Sequence, residues 1–177
     1  MVTASVKSRC GRVCDGLMAI RGTLICSLVV VFLDVLVDGS YIFSALVCPI
    51  WFLAALVRAI ARHPSLAVAA ARILVPVVTG LLVIANFSLQ GKIAMGNAAR
   101  VIEACERYRE INGVYPERLS ELVPHYLSSV PRAKYCLMCS EFGYYSGSPQ
   151  PILFWWEFPP FGRRVYTFET GKWQFLD

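Results

Sequence analysis

Charge is what this chain has least of. Only 16% of its 177 residues are Asp, Glu, Lys or Arg, where soluble globular domains average about a quarter. The 17 basic and 12 acidic residues leave +5, too thinly spread for a phosphate-binding surface, which excludes nucleic acid as a partner. Histidine is scarce as well, with only His63 and His125. There is no Gly-x-Ser-x-Gly elbow, no His-Glu-x-x-His helix and no Gly-rich phosphate loop, so no catalytic residue and no cofactor is assigned. What abounds is apolar: 56% hydrophobic residues and a mean hydropathy of +0.55 exclude a disordered tail or a collagen-like chain. The length suits about one ordinary domain, yet the composition divides. Uncharged apolar stretches crowd residues 18–90, and most acids, aromatics and turn residues follow.

Crossing a hydrocarbon core of about 30 Å takes roughly 20 mainly apolar helical residues, because no water there can pair a stray amide. Residues 39–57 and 73–91 contain no charge and are predicted spans. Residues 18–37 form a third, with Arg21 near one end and Asp34 near the other. Asp34, Asp38, Gly39 and Ser40 then mark a turn. Lys7, Arg9, Arg12 and Arg21 precede the first span or open it, and Arg58, Arg62 and Arg72 lie between the second and third. Basic residues are retained in cytoplasmic segments, so residues 1–17 are expected as a cytoplasmic tail. Three crossings put residues 92–177 on the far side, the periplasm of a Gram-negative cell. This describes a multi-pass bacterial inner-membrane protein with the lipid bilayer as its first partner. A cleaved signal peptide is the competing reading of residues 1–40, but no small-x-small site follows.

Asp34 has no charged partner in the other spans and is expected at the outer interface rather than in a conduction path. Cys26 and Cys48 read as buried small hydrophobes. Cys10 and Cys14, in the basic tail, read as reduced thiols, with palmitoylation as the alternative.

Past the third span, Ala94, Ala98, Val101, Cys105 and Tyr108 recur at steps of three and four, with Arg100, Glu103, Arg107 and Glu110 opposite. That is an amphipathic helix continuing outward without a Pro. Asn112-Gly113 and Pro116 stop it. A helix unbroken from about residue 73 would be roughly 60 Å long, and Gly80, Gly91 and Gly96 are places where it can bend. A short second helix is expected after Pro116, with Leu119, Leu122 and Val123 inward, ending at Pro124. The remainder, aromatic and β-branched with Gly and Pro between, predicts antiparallel strands near 142–146, 152–158, 163–169 and 172–176. Thr170-Gly171 turns the last hairpin. Its more aromatic face, with Tyr166, Phe168, Trp173 and Phe175, is expected to cover the helix. The fold class is therefore a helical transmembrane region plus a small α+β domain, a long helix packed on a short antiparallel sheet.

Cys136-Leu-Met-Cys139 is the sharpest local motif. Two-residue spacing serves a disulfide, a redox pair or half of a metal site; an exported domain of about 85 residues favours the disulfide. A metal would need Cys105 and His125 as well, the only nearby candidates. Glu103, Glu106 and Glu110, interleaved with Arg100, Arg107 and Arg109, read as a solvated face. Trp155, Trp156, Phe161 and Trp173 are candidates for a partner-binding surface, with core packing as the plain alternative.

The run from 106 to 127, ERYREINGVYPERLSELVPHYL, resembles the soluble domain of the major pseudopilin of type II secretion and of related type IV pilin-like proteins. The residues carrying the resemblance are Asn112, Gly113, Tyr115, Pro116, Val123, Pro124, Tyr126 and Leu127. It covers about half of the chain and implies a long helix packed on a small antiparallel sheet. The family's peptidase site has no counterpart: Arg72 precedes the third span, and residues 73–102 contain no Glu. No counterpart of its calcium-binding loop is found either. The implied role is a non-enzymatic interaction or assembly component of a secretion or envelope system. Its expected partner is another envelope or secretion-system protein, and self-association into a homo-oligomer is compatible with it. An envelope thiol-redox or metal-binding protein centred on Cys136 and Cys139 is the alternative.

Overall fold

The computed structural model describes residues 20–62, 65–147, 150–159 and 161–177. The expectations for Cys10, Cys14 and the basic tail fall outside these, as does His63. Three helices come first: α1 (Ile20–Asp38), α2 (Ile42–Arg62) and α3 (Leu66–Asn112). Each is long and apolar enough to cross a membrane. A single 3₁₀ turn, Leu119–Leu122, follows. Strands β1 (Gly143–Tyr145), β2 (Ile152–Phe158), β3 (Gly162–Thr167) and β4 (Lys172–Leu176) then form an antiparallel sheet in chain order. The chain divides into two compact units, Met1–Asp34 with Tyr41–Ile84, and Val35–Ser40 with Ala85–Asp177.

In the first unit, contact residues are small or polar and outward ones are large and apolar. Ala55, Val83 and Thr79 are buried, whereas Leu28, Leu46, Ile50, Leu53, Leu81 and Leu82 are exposed. Such a surface is the reverse of a water-soluble bundle. Thr79 Oγ1 donates to Val75 O at 2.7 Å, which leaves the Ser27 hydroxyl to donate to it, also at 2.7 Å. The last seven residues of α1, Phe32–Asp38, are π-wound. Asp34 is fully buried there and accepts from the backbone N–H of Phe43 at 2.9 Å and of Ser44 at 2.6 Å. It is an N-terminal cap for α2, supplied from the preceding helix.

In the second unit, the amphipathic half of α3 packs as its periodicity predicts. Ala94, Ala98, Val101 and Cys105 are fully buried in one cluster with Leu119, Leu122, Leu127, Phe142, Leu153, Trp155 and Phe168, and Tyr108 packs against it. Small residues on the helix let the large ones of the sheet approach. The helix starts at Leu66 and runs through Pro76 without a break, so its 47 residues are about 70 Å long. The second helix shrinks to one 3₁₀ turn opening at Leu119, three residues after Pro116, although Leu119 and Leu122 face inward as expected. The Val123–Pro124 peptide is cis.

The sheet's register settles which aromatics face α3. Leu153 pairs with Tyr166, and Tyr166 with Trp173, placing these three on one face with Trp155. Trp155 is 1% exposed, edge-on to Trp173 and Phe142. It is a core residue, which corrects its assignment to a partner surface. Trp173 packs against the same core. Trp156 lies on the other face beneath the Arg163 guanidinium, 5.8 Å from the ring centroid, and Phe161 is exposed. Trp155→Ala is therefore expected to lower stability by about 3–5 kcal/mol, and Phe161→Ala by no more than about 0.5 kcal/mol. Denaturant titration of the detergent-solubilised chain, followed by near-UV circular dichroism, measures both.

Candidate functional site: the loop around Lys134 and Cys136

The segment 132–140 has almost no regular structure, yet its backbone is paired at most positions. Ala133 N and Lys134 N both donate to Ser140 O, at 2.8 and 3.2 Å. The Gln90 amide reads Tyr135 from both sides, accepting from its N–H at 2.9 Å and donating to its carbonyl at 3.3 Å. Asn97 Nδ2 donates to Arg132 O at 2.9 Å. Leu137 N donates to Leu36 O at 2.8 Å and Met138 N to Val37 O at 2.9 Å. The loop is thus fastened both to α3 and to the last turn of α1.

Lys134 sits at the centre and is 1% exposed. Its ammonium donates to Glu157 O at 2.7 Å and to Gly39 O at 3.3 Å, 5.7 Å from the centroid of the Phe87 ring. Phe87 in turn stacks on Phe158 at 5.1 Å. Burial pushes the Lys134 pKa down, against the opposing pull of Cys136 and of the Glu157 and Asp38 carboxylates. Glu157 itself is held by a forked pair of bonds from Arg164, at 2.7 and 3.1 Å.

Gly39 has φ +64°, and a Cβ there would lie 2.9 Å from Cys136 Sγ. Both the backbone conformation and the space demand glycine.

The two thiols of the motif are free in this structure, so the expected cystine is not formed. Cys136 Sγ instead lies 2.8 Å from Met138 O as a donor. Burial raises its pKa, with Lys134 acting in the opposite direction. A neutral buried thiol is a poor nucleophile. The four-residue metal set does not assemble: Cys105 is buried in the α3 core, His125 is exposed, and no three His, Cys, Asp or Glu gather among the described residues. A buried amine of lowered pKa can serve as a nucleophile when a substrate reaches it. Here both carbonyl contacts and near-complete burial make Lys134 a brace between Gly39 and β2.

The residues of the Asn-Gly-x-Tyr-Pro stretch come together at the end of α3. Gly113, at φ +77°, donates from its N–H to Arg109 O at 2.8 Å, closing the helix in the left-handed manner. Asn112 Nδ2 donates to Tyr108 O at 2.8 Å and reaches the Tyr126 hydroxyl at 3.4 Å. The Tyr115 hydroxyl donates to Glu106 at 2.8 Å and accepts from Arg109 at 2.9 Å, while its ring lies 5.0 Å from Phe168. The Pro116 carbonyl accepts from Tyr144 at 2.9 Å. Glu103 and Arg107 form an exposed i,i+4 pair at 2.5 Å, and Glu106 pairs with Arg109 at 3.8 Å. Those carboxylates are occupied on a solvated face.

Lys134, Gln90 and Gly39 were not singled out as site residues by the sequence. The available signals are Gln90, an amide closing an apolar run, and Gly39 in the turn after the first span. The chain matches no protein-family model, no curated protein and no solved structure.

Two outcomes follow from this chemistry. A Lys whose folded pKa lies below its ordinary 10.5 is deprotonated in the folded state before the unfolded one. Lys134 therefore adds stability that grows with pH between the lowered value and 10.5, since the unfolded state binds more protons there, while the raised Cys105 and Cys136 thiols contribute the opposite slope. Lys134→Met should remove the Lys134 contribution, so the stability of the variant falls more steeply with pH than that of the parent in denaturant titrations across the alkaline range. The Cys105 thiol is pushed up to about 12 by burial; its thiolate fraction at pH 8 falls about 1,000-fold below that of an ordinary thiol. Maleimide mapped by mass spectrometry should modify Cys139 and leave Cys105 unmodified until denaturant is added.

Proposed function

We propose that this chain is a three-span bacterial inner-membrane protein whose C-terminal α+β unit is a periplasmic, pseudopilin-like module. It serves, without enzymatic activity, as an interaction or assembly component of a secretion or envelope system. The observation carrying the reading is α3 itself: one uninterrupted helix whose first part is apolar on every side and whose second part buries a stripe of small residues against an antiparallel sheet. The basic residues at 7, 9, 12 and 21, with Arg58 and Arg62 in the last turns of α2 and Arg72 near the start of α3, support a cytoplasmic N-terminus. The cluster of Asn112, Gly113, Tyr115, Pro116 and Tyr126 at the helix end supports the pilin-like likeness. The contact surface is the outer edge of β4 with Trp156 and Phe161, because an edge strand offers unpaired backbone groups to a partner's strand. The thiol-redox alternative draws no support from a buried Cys136 of raised pKa.

Alkaline phosphatase fused after Asp177 should be active and green fluorescent protein at the same position dark, with the opposite result for fusions between α2 and α3. Crosslinking through a photoreactive residue at Gln174 in β4 should recover an envelope protein or a second copy of the chain. A cytosolic C-terminus would refute the proposal.

A further inference from the structure

The loop at 135–138 carries three exposed apolar or amphipathic side chains in a row around the buried Cys136: Tyr135 at 59%, Leu137 at 75% and Met138 at 57%. The loop's backbone is held by hydrogen bonds and by the buried Cys136 side chain, so its position does not depend on packing of these three. Those bonds fix the loop's depth. Leu137 and Met138 donate to the carbonyls of Leu36 and Val37, in the final turn of the apolar helix α1. Tyr135 is clasped by Gln90, at the end of the apolar run of α3. The last turn of α1 and the Gln90 position of α3, where its apolar run ends, therefore hold one loop between them.

We propose that residues 135–138 are an interfacial anchor that inserts Leu137 and Met138 into the lipid of the outer leaflet. The inference rests on the three-span reading above. The final carbonyls of a helix have no partner within it, and irregular backbone is tolerated at membrane depth only where its polar groups are paired. The loop meets both conditions at once: its N–H groups pair the carbonyls that α1 leaves open, and are themselves paired in doing so. The side chains then enter lipid without carrying unpaired amides with them. Tyr135 supplies the amphipathic ring that favours the headgroup level. Lys134, turned inward onto Gly39 O and Glu157 O, keeps its amine out of the hydrocarbon. The occupant is the bilayer, because the loop is continuous by backbone hydrogen bonds with a helix end whose Leu36 is itself exposed.

The test uses the full chain with its native cysteines, reconstituted in phosphatidylcholine and phosphatidylglycerol vesicles. The photoreactive residue benzoylphenylalanine replaces, one at a time, Leu137, Met138, Leu81 in the apolar part of α3, and Val114. Val114 is 64% exposed, much as Leu137 is, but lies beyond the far end of α3, about 33 Å along the helix from Gln90. After irradiation, mass spectrometry should find phospholipid adducts at 137 and 138 at yields comparable to that at 81, and only background at 114. Background yield at both 137 and 138 with adducts retained at 81 would overturn the anchor and leave the spans intact. Adducts from 137 to a polypeptide instead of lipid would overturn it as well. Loss of adducts at 81 would refute the three-span reading, and the anchor with it.

Discussion

The end of an apolar helix is where unpaired backbone groups cost most, and the stretch from Asp34 to Ser44 answers that constraint. The end of α1 leaves carbonyls, and the start of α2 leaves N–H groups, without partners inside their own helices. Asp34 takes the N–H groups of Phe43 and Ser44. The carbonyls of Leu36 and Val37 are taken by a loop a hundred residues later in the chain. The π-winding of Phe32–Asp38 accompanies this arrangement: with Asp34 turned inward, the helix is wider where it hands its backbone groups to other elements. Gly39 completes the turn because only glycine combines its positive φ with the close approach of Cys136.

Lys134 extends the same logic to the sheet. Its amine links the Gly39 carbonyl to the Glu157 carbonyl of β2, while the Glu157 carboxylate is committed to Arg164. A buried cation paired only with backbone dipoles is costly, which is why burial lowers its pKa. The same burial raises that of the neighbouring Cys136. Amine and thiol are thus both driven toward their neutral forms. Both groups are engaged in hydrogen bonds that hold the loop in place.

Much of this architecture was legible in the amino-acid sequence, for a definite reason. The buried stripe Ala94, Ala98, Val101, Cys105 and Tyr108 and the strands at 152–158 and 172–176 announce themselves through periods of 3.6 and 2, which depend only on neighbours along the chain. The hairpin at Thr170-Gly171 is local too, and Gly171 has the positive φ that such a turn requires. Trp155 was misassigned because a run of Phe154, Trp155 and Trp156 is aromatic on both faces, so parity alone does not say which ring is inside. The register with Arg164 and Tyr166 decides it.

What composition and period do not encode is pairing across long separations. Asp34 meets partners 9 and 10 residues away, Gln90 a partner 45 away, and Lys134 one 95 away. No local period identifies the partner of any of these polar side chains, and each is nearly or wholly buried. Each closes backbone groups that regular structure leaves open: Asp34 takes N–H groups at the start of α2, Gln90 both groups of Tyr135, and Lys134 the carbonyls of Gly39 and Glu157. An Asp near the end of an apolar run therefore points to an unpaired helix terminus before it points to a transport path. The partner to seek is a loop with free N–H groups, of which the segment after Pro131 is this chain's example.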